Sequence, residues 1–174
     1  MSTELVPIRA IDAMQFKAVR LAALQDSPMA FGSTYAREAS FPDAEWIRRA
    51  NNWRGDRGIG YLALDSQIPC GIAGVFLDDR NPAKAQIVSM WVAPTHRRSG
   101  VGRLLIDAIV AWCREKSVRD LHLMVTSNNQ SAINFYKRIG FAMTGVTEPY
   151  PNDRSLVEYE MWRPISNMAP PPGR

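Results

Sequence analysis

Cysteine, histidine and long apolar runs are all scarce in this chain of 174 residues. Its two cysteines, Cys70 and Cys113, are too few for a disulfide framework and lack the spacing of a metal site. We therefore expect both to be reduced core thiols of a cytoplasmic protein. The two histidines, His96 and His122, have no Cys, Asp or Glu at ligand spacing, so we expect no metal centre.

Membrane and nucleic-acid binding find equally little support in the sequence. No run approaches the ~18 apolar residues of a membrane span, and the start, MSTELVPIRA, lacks the basic and apolar regions of a signal peptide. The formal net charge of +4 suits an anionic partner, but there is no run of five like charges and no basic stripe interleaved with aromatics. We therefore predict neither a nucleic-acid partner nor a membrane partner.

The composition is that of a globular domain, with 46% hydrophobic and 22% charged residues. A chain of this length suits a single domain, because ~150 residues already bury roughly 68–70% of the unfolded surface. We expect that domain to span residues 1–164 and the Pro-rich remainder, residues 165–174, to be unstructured.

The order of the predicted elements indicates an α/β fold with a mixed, mostly antiparallel sheet and about four flanking helices. Strands are predicted at 5–10, 59–65, 70–77, 85–93, 121–125, 141–147 and 156–163, and helices after Asp12 up to Ser27, at 34–39, from Pro42, at 100–116 and at 130–138. The strand, helix, strand order through 85–125 implies a right-handed crossover and one parallel pair. A ligand crevice is expected where these strands end, after Val92 and after Val125.

Local patterns add expectations about side chains and turns. We place Met14 among the apolar positions of the first helix, Trp46 and Ile47 on one face of the third, and Leu104 in the apolar stripe of the longest. A four-residue turn at 66–69 is predicted to join the second and third strands.

Residues 87–105, IVSMWVAPTHRRSGVGRLL, are the most informative stretch. An apolar run at 87–92 leads through a basic segment containing Gly100 and Gly102 into a helical pattern. Unpaired N–H groups and partial positive charge at a helix N-terminus bind phosphate, and glycine lets the phosphate approach the backbone. Three arginines add full positive charge at this place: Arg97, Arg98 and Arg103. The stretch therefore predicts a diphosphate-bearing ligand.

Two motifs in this half of the chain match a known pattern. RRSGVG at 97–102 fits the signature Arg/Gln-x-x-Gly-x-Gly/Ala, MWVAP precedes it, and NNQSAINFYKRIGF follows at 128–141. Together they resemble the GNAT superfamily of acyl-CoA-dependent N-acetyltransferases. The resemblance covers residues 5 to 163 by element order, and its specificity comes from the second motif, which ends in Tyr-x-x-x-Gly-Phe.

The resemblance implies roles for the matching residues. Backbone N–H groups from Ser99 to Arg103 would hold the CoA pyrophosphate, and main-chain groups of Trp91, Val92 and Ala93 would pair with pantetheine as an added strand. The Val92 N–H would face the thioester carbonyl, a contact worth roughly 3 kcal/mol in other enzymes. The full implied cofactor set is Trp91, Val92, Ala93, Arg97, Arg98, Ser99, Gly100, Val101, Gly102, Arg103, Asn129 and Tyr136.

The motif residues of the next helix have structural alternatives. Asn129 would bond the pantetheine arm, but it also suits the N-cap of that helix, and the two roles are compatible. Tyr136 would protonate the departing thiolate, or it is an amphipathic core residue. Arg97 and Arg98 are alternatively solvated surface charges.

The sequence departs from the family at the general base. Many members place a glutamate early in the strand that ends at Val92, and the matching residue here is Gln86, which cannot take a proton. A base is still required, because a free alkylamine is mostly ammonium at pH 7. The remaining options are a water held by backbone carbonyls, which Ser89 could orient, or a carboxylate that is otherwise a surface charge: Glu38, Glu148 or Glu158.

The resulting hypothesis is an N-acetyltransferase that transfers the acetyl group of acetyl-CoA directly to a primary amine. The alternatives are a CoA-binding module without catalysis, such as a metabolite sensor, and a nucleic-acid-binding protein whose affinity depends steeply on salt. The acceptor, a small-molecule or peptide amine, is not specified, because specificity would lie in residues 27–57 and 148–154, which carry no motif. Whether the chain forms a homodimer is also left open.

Overall fold

The computed structural model describes residues 2–166, which form one seven-stranded sheet with helices on both faces. The strands are β1 Thr3–Pro7, β2 Gly58–Asp65, β3 Ile68–Leu77, β4 Lys84–Val92, β5 Asp120–Thr126, β6 Ala142–Pro149 and β7 Val157–Pro164. The helices are α1 Ala13–Asp26, α2 Tyr35–Ala39, α3 Asp43–Asn51, α4 Val101–Glu115 and α5 Gln130–Arg138.

The sheet order β1-β2-β3-β4-β5-β7-β6 confirms the predicted mixed fold, with β4 and β5 as its parallel pair. These two strands pair only at their beginnings, where Lys84–Gln86 faces Asp120–His122. Beyond Gln86 and His122 no pairing continues, so the strands separate toward their carboxyl ends. A gap in the sheet therefore lies where the sequence predicted a crevice.

Two buried cores lie on opposite faces of the sheet. Along β2, Leu62 belongs to the core under α1 and α3, whereas Ala63 belongs to the core under α4 and α5. This division follows from the alternation of side chains along a strand. The sheet is thus covered on both faces, and β3 contains no charged residue.

Three apolar helical residues lie outside these cores, contrary to prediction. Ile47 is 47% exposed although its neighbour Trp46 is fully buried, and Leu104 is 43% exposed beside the buried Leu105. Neighbouring residues of an α-helix point about 100° apart, so only one residue of each pair faces the core. Met14, on the open side of α1, is 45% exposed.

The turn between β2 and β3 is shorter than predicted. Ser66 and Gln67 both have positive φ, 50° and 68°, and β3 begins directly after them at Ile68. A two-residue turn with two positive φ angles matches the twist of a hairpin. Because the turn needs only Ser66 and Gln67, Pro69 already lies within β3. The predicted boundaries of the turn at 66–69 are therefore wrong.

The end of the domain also differs from the prediction. Ile165 is 7% exposed, lies in the α4 core, and donates its N–H to the Arg119 carbonyl at 2.8 Å. The first residue of the predicted tail is therefore part of the packed domain, and residues 167–174 lie outside the described residues. Within residues 2–166, no helix combines the length and apolarity needed to cross a bilayer.

Candidate active site

A cleft of about 710 Å³ opens where β4 and β5 separate. Its floor comes from β4 and β5, one wall from α1, α2 and α3, and the opposite wall from β6 and β7. The predicted candidates that line it are Glu38, Gln86, Ser89, Asn129, Tyr136, Glu148 and Glu158. The segments 91–93 and 97–103 lie outside this lining, at the carboxyl end of β4 and the start of α4.

A β-bulge shapes the floor of the cleft. Ile72 faces Trp91 but Gly74 faces Val88, so β4 has one residue more than β3 at this point. The extra residue lies in the pair Ser89 and Met90, and Ser89 has a φ of 58°. Bulges re-aim the backbone of a strand, and both residues line the cleft. No sequence pattern indicates Met90 as a cleft residue, because no glycine marks the bulge.

The main chain of Val92 faces the gap between the strands. Ala93 donates its N–H to the Cys70 carbonyl at 2.8 Å, so Val92, which faces Gly71, occupies the neighbouring non-hydrogen-bonded position. Its N–H and C=O therefore point away from β3. The C=O accepts a bond from Arg97 Nε at 3.0 Å, and the N–H is directed toward the gap between β4 and β5.

Ala93 and Trp91 differ from their predicted role beside pantetheine. The Ala93 carbonyl accepts the His96 N–H at 2.8 Å, so both main-chain groups of Ala93 already have partners. The same alternation turns the main chain of Trp91 toward β3, and its indole N–H binds Asp26 at 2.9 Å. Of Trp91, Val92 and Ala93, Val92 is therefore the residue whose main chain can pair with an added strand.

The loop before α4 presents a row of unpaired N–H groups. Among the described residues, no acceptor pairs with the N–H groups of Arg98 through Arg103, and the first helical bond runs from Leu104 to Gly100 at 3.0 Å. Arg98 and Gly100 have positive φ, 62° and 92°. No atom lies within 4 Å of the position that a Cβ of Gly100 would take, so an anion can reach this backbone.

Arg97 bonds to other groups of the protein. The sequence predicts a contact with CoA or, alternatively, a solvated surface charge. Its guanidinium forms an ion pair with Asp26 and a bond to the Val92 carbonyl. Burial acts to raise the pKa of Asp26, but hydrogen bonds from Trp91, Ser27 and Arg97 outweigh it and lower that pKa. The end of α1 is thereby fixed to the end of β4.

Asn129 and Tyr136, the two candidates from the second motif, both line the cleft. The Asn129 side chain accepts the Ala132 N–H at 3.2 Å, which confirms that it is an N-cap while leaving its amide nitrogen for a ligand. Tyr136 is 7% exposed and packs on Phe135 and Phe141, with ring centroids 5.3 and 5.6 Å away. Burial raises the pKa of the Tyr136 phenol, which keeps its proton on at neutral pH.

Glu38 is not a surface charge, and the two arginines that bind it make it a poor base. Its carboxylate accepts bonds from Arg20 at 2.8 and 3.0 Å and from Arg49 at 3.0 Å. Burial acts to raise the pKa of Glu38, but the two arginines outweigh it and lower that pKa to about 2. Arg20 also donates to the Ser89 hydroxyl at 3.4 Å, so this buried cluster supports the bulge.

Glu148 and Glu158 remain as candidates. They face each other across β6 and β7 and both line the cleft. Burial, followed by repulsion from Glu148, raises the pKa of Glu158. A carboxylate with a raised pKa near the reacting atoms is a suitable base at neutral pH, whereas Gln86 contributes only an amide to the same cleft.

The segment that follows α1 closes one end of the cleft. Thr126 Oγ1 donates to the Met29 carbonyl at 2.7 Å, and the buried Tyr150 hydroxyl donates to the Phe31 carbonyl at 2.7 Å. Asn152 adds a bond to the Phe31 carbonyl at 3.0 Å. The two segments that were expected to govern acceptor specificity are therefore bonded to each other.

Metal and thiol chemistry have no matching groups in the cleft. Among residues 2–166, no three His, Cys, Asp or Glu side chains come together as metal ligands. Cys70 and Cys113 are buried free thiols outside the cleft lining, and burial raises the pKa of Cys113 to about 12. A thiol held in its protonated form is a poor nucleophile.

Curated proteins similar to this chain include acetyltransferases. Mycothiol acetyltransferase from Nocardia farcinica is 29% identical over 108 residues, covering 60% of this chain and 35% of that protein. Overall, the chain spans between 32% and 60% of the length of the first curated relatives it matches.

Solved structures share the fold along nearly the whole chain. An acetyltransferase of the GNAT family from Streptococcus pneumoniae has a TM-score of 0.79 at 21% identity, covering 95% of this chain and 100% of that one. The PaiA N-acetyltransferase from Thermoplasma acidophilum in complex with coenzyme A has a TM-score of 0.69 at 16% identity, covering 94% and 99%. At these identities the likeness shows the fold alone.

The family itself is shown by sequence. A model of the Acetyltransferase (GNAT) family matches residues 21–141, which include β2 to β5, the loop before α4 and the whole of α5. This match takes in both motifs on which the resemblance was based. The chain therefore belongs to the GNAT family of acetyltransferases.

Proposed function

We propose that the protein transfers the acetyl group of acetyl-CoA directly to a primary amine. The observation that carries this proposal is the gap between β4 and β5, which has the free N–H of Val92 on one side and the protonated phenol of Tyr136 in the adjoining cleft. A donor for the thioester oxygen and a donor for the leaving sulfur are thus provided by different elements.

The loop before α4 suits the diphosphate of CoA. Its N–H groups from Arg98 to Arg103 lack acceptors within the described chain, and Arg98 and Arg103 add charge. The open space at Gly100 admits a phosphate to the backbone. PaiA N-acetyltransferase, a protein of this fold, was solved in complex with coenzyme A, which supports CoA as the ligand class.

Glu158 is the proposed general base. The acceptor binds as ammonium, and Glu158 accepts one proton so that the nitrogen lone pair can attack the thioester carbon. The Val92 N–H stabilises the oxyanion that results, and the C–S bond then breaks as the carbonyl re-forms and Tyr136 gives its proton to the sulfur. The nitrogen loses its second proton to the Tyr136 phenolate, and Glu158 passes its proton to solvent. The products are the N-acetyl amine and CoA thiol, with one net proton released to solvent.

The test is release of CoA thiol from acetyl-CoA in the presence of a panel of primary amines, with binding of CoA measured separately by calorimetry. Turnover with at least one amine, dependent on both substrates, is expected. Binding of acetyl-CoA without turnover of any amine, peptide or aminoglycoside would instead support a non-catalytic CoA-binding module, which the glutamine at position 86 favours.

A further inference from the structure

The two walls of the cleft carry opposite charge. Among its lining residues, the helical wall has four arginines and two glutamates: Arg20, Arg37, Arg48, Arg49, Glu38 and Glu45. The strand wall has two glutamates, Glu148 and Glu158, and no basic residue in that lining. The acetyl acceptor must therefore fit between a positive and a negative surface.

Positive charge on the helical wall is not fully compensated from within the protein. Glu45 is held by Arg48 through bonds of 2.6 and 2.8 Å. Glu38 is shared by Arg20 and Arg49, so one carboxylate serves two guanidinium groups. The excess therefore lies at Arg49, which shares its carboxylate, and at Arg37 of α2, which has no carboxylate partner within the described chain.

Arg37 is the arginine whose guanidinium donors remain available for a ligand. Within the described chain, its guanidinium takes part in no hydrogen bond or ion pair, although its backbone N–H is bound to Thr34 Oγ1 at 3.2 Å. The residue is fixed on a capped helix while its side chain faces the cleft. A guanidinium in this setting can bind a carboxylate through two parallel bonds.

The strand wall carries negative charge that no basic residue of the described chain neutralises. Glu148 and Glu158 are direct cross-strand partners, and neither forms an ion pair with a basic residue of the described chain. Like charges directly opposite each other in a sheet are destabilising, and a cation between them removes the repulsion. The ammonium group of an acceptor is such a cation, and here it would lie beside the proposed base.

We infer that the acceptor is a small amino-acid-type zwitterion, which carries a carboxylate in addition to the primary amine that is acetylated. The amine faces Glu148 and Glu158, and the carboxylate faces Arg37 and Arg49. This inference rests on the proposed function and narrows it. A polyamine would place positive charge against the arginines, and an uncharged amine would use neither wall.

Binding and turnover test this separately. The probes are glycine, β-alanine, γ-aminobutyrate, ε-aminocaproate, L-leucine and L-lysine, each compared with its carboxamide, together with cadaverine and a peptide with an amidated C-terminus. Calorimetry on protein saturated with CoA gives affinities whether or not transfer occurs. At least one carboxylate is expected to bind about tenfold more tightly than its carboxamide.

Arg37→Gln supplies the decisive comparison. It should reduce the carboxylate preference to about one while leaving CoA affinity and Tm unchanged. Arg80→Gln, which removes the same charge from an exposed site outside the cleft, should keep the preference. Equal or tighter binding of the carboxamides, of cadaverine or of the amidated peptide, or an unchanged preference in Arg37→Gln, would overturn the inference. Carboxylate-selective binding without any transfer would support it while refuting the proposed function.

Discussion

A single phenol marks the leaving-group side of the proposed reaction. Tyr136 is nearly buried, its pKa is raised by that burial, and it lines the cleft. Tyr136→Phe keeps the ring that packs on Phe135 and Phe141 but removes the proton. We expect kcat to fall about 100-fold, within the usual range for loss of a general acid, while CoA affinity stays within about twofold.

Tyr159→Phe is the matched control, because Tyr159 is a partly buried phenol of β7 outside the cleft lining. It should leave kcat unchanged. Equal turnover by Tyr136→Phe and the wild-type protein would remove Tyr136 from the mechanism.

The base is identified by its pH profile. Glu158 must be ionised to accept a proton, so kcat/KM should rise as pH increases through its pKa and then level. Because burial and Glu148 raise that pKa, the rise should lie at higher pH than for a solvated glutamate. Glu148→Gln removes the repulsion and should move the rise to lower pH, whereas Glu158→Gln should abolish the rise and lower kcat. A profile identical in all three proteins would contradict the assignment.

At the scale of elements, the loop before α4 contains a glycine in the left-handed region, Gly100. Gly100 has a φ of 92° and open space at its Cβ position, so alanine there is strained but meets no atom. Gly145, with a φ of 89° and the same open space, lies in β6 far along the chain. Both alanine variants should lose about 1 kcal/mol of unfolding free energy, but only Gly100→Ala should weaken CoA binding. Calorimetry and urea unfolding distinguish the two effects.

Elements were also the scale at which sequence patterns were most informative. Apolar periodicity gave the strands and helices in order, and the glycines and arginines after Val92 located the loop at the start of α4. Patterns failed where backbone angle, not residue type, decided the outcome: Ser66, Gln67 and Ser89 adopt positive φ without being glycine.

Long-range contacts were likewise beyond the sequence. Arg20 lies in a helix whose pattern makes an arginine seem solvent-facing, yet it pairs with a glutamate 18 positions away and with Ser89, which is 69 positions away. The sequence therefore predicts Glu38 as a surface charge if it is not the base. The pairing of Glu148 with Glu158 also required the register of β6 and β7, which no local motif specifies.

At the scale of the whole molecule, the buried cluster of Arg20, Glu38 and Arg49 joins three helices to the sheet. The pKa of Glu38 falls from the 4.5 of an unfolded chain to about 2 in the fold. Its ionised form therefore stabilises the protein fully above pH 4.5, and this contribution is lost as pH falls through about 2.

Glu38→Gln should lower the unfolding free energy at neutral pH by about 3 to 5 kcal/mol, because it leaves Arg20 buried without its counter-charge. It should also flatten the loss of stability between pH 4.5 and 2. Urea unfolding at a series of pH values measures both. The surface pair of Lys17 and Asp43 provides the control, since Asp43→Asn should change stability by less than about 1 kcal/mol.

The segment that closes the cleft is attached through its main chain. Thr126, Tyr150 and Asn152 all bind carbonyl oxygens of residues 29 and 31, and a carbonyl is present whatever side chain a residue carries. The side chains of Ala30, Gly32 and Ser33, which line the cleft, can therefore change without loosening that attachment. The attachment of this segment is therefore independent of the side chains that it presents to an acceptor. Substitutions at these three positions can change the amine preference with little loss of stability.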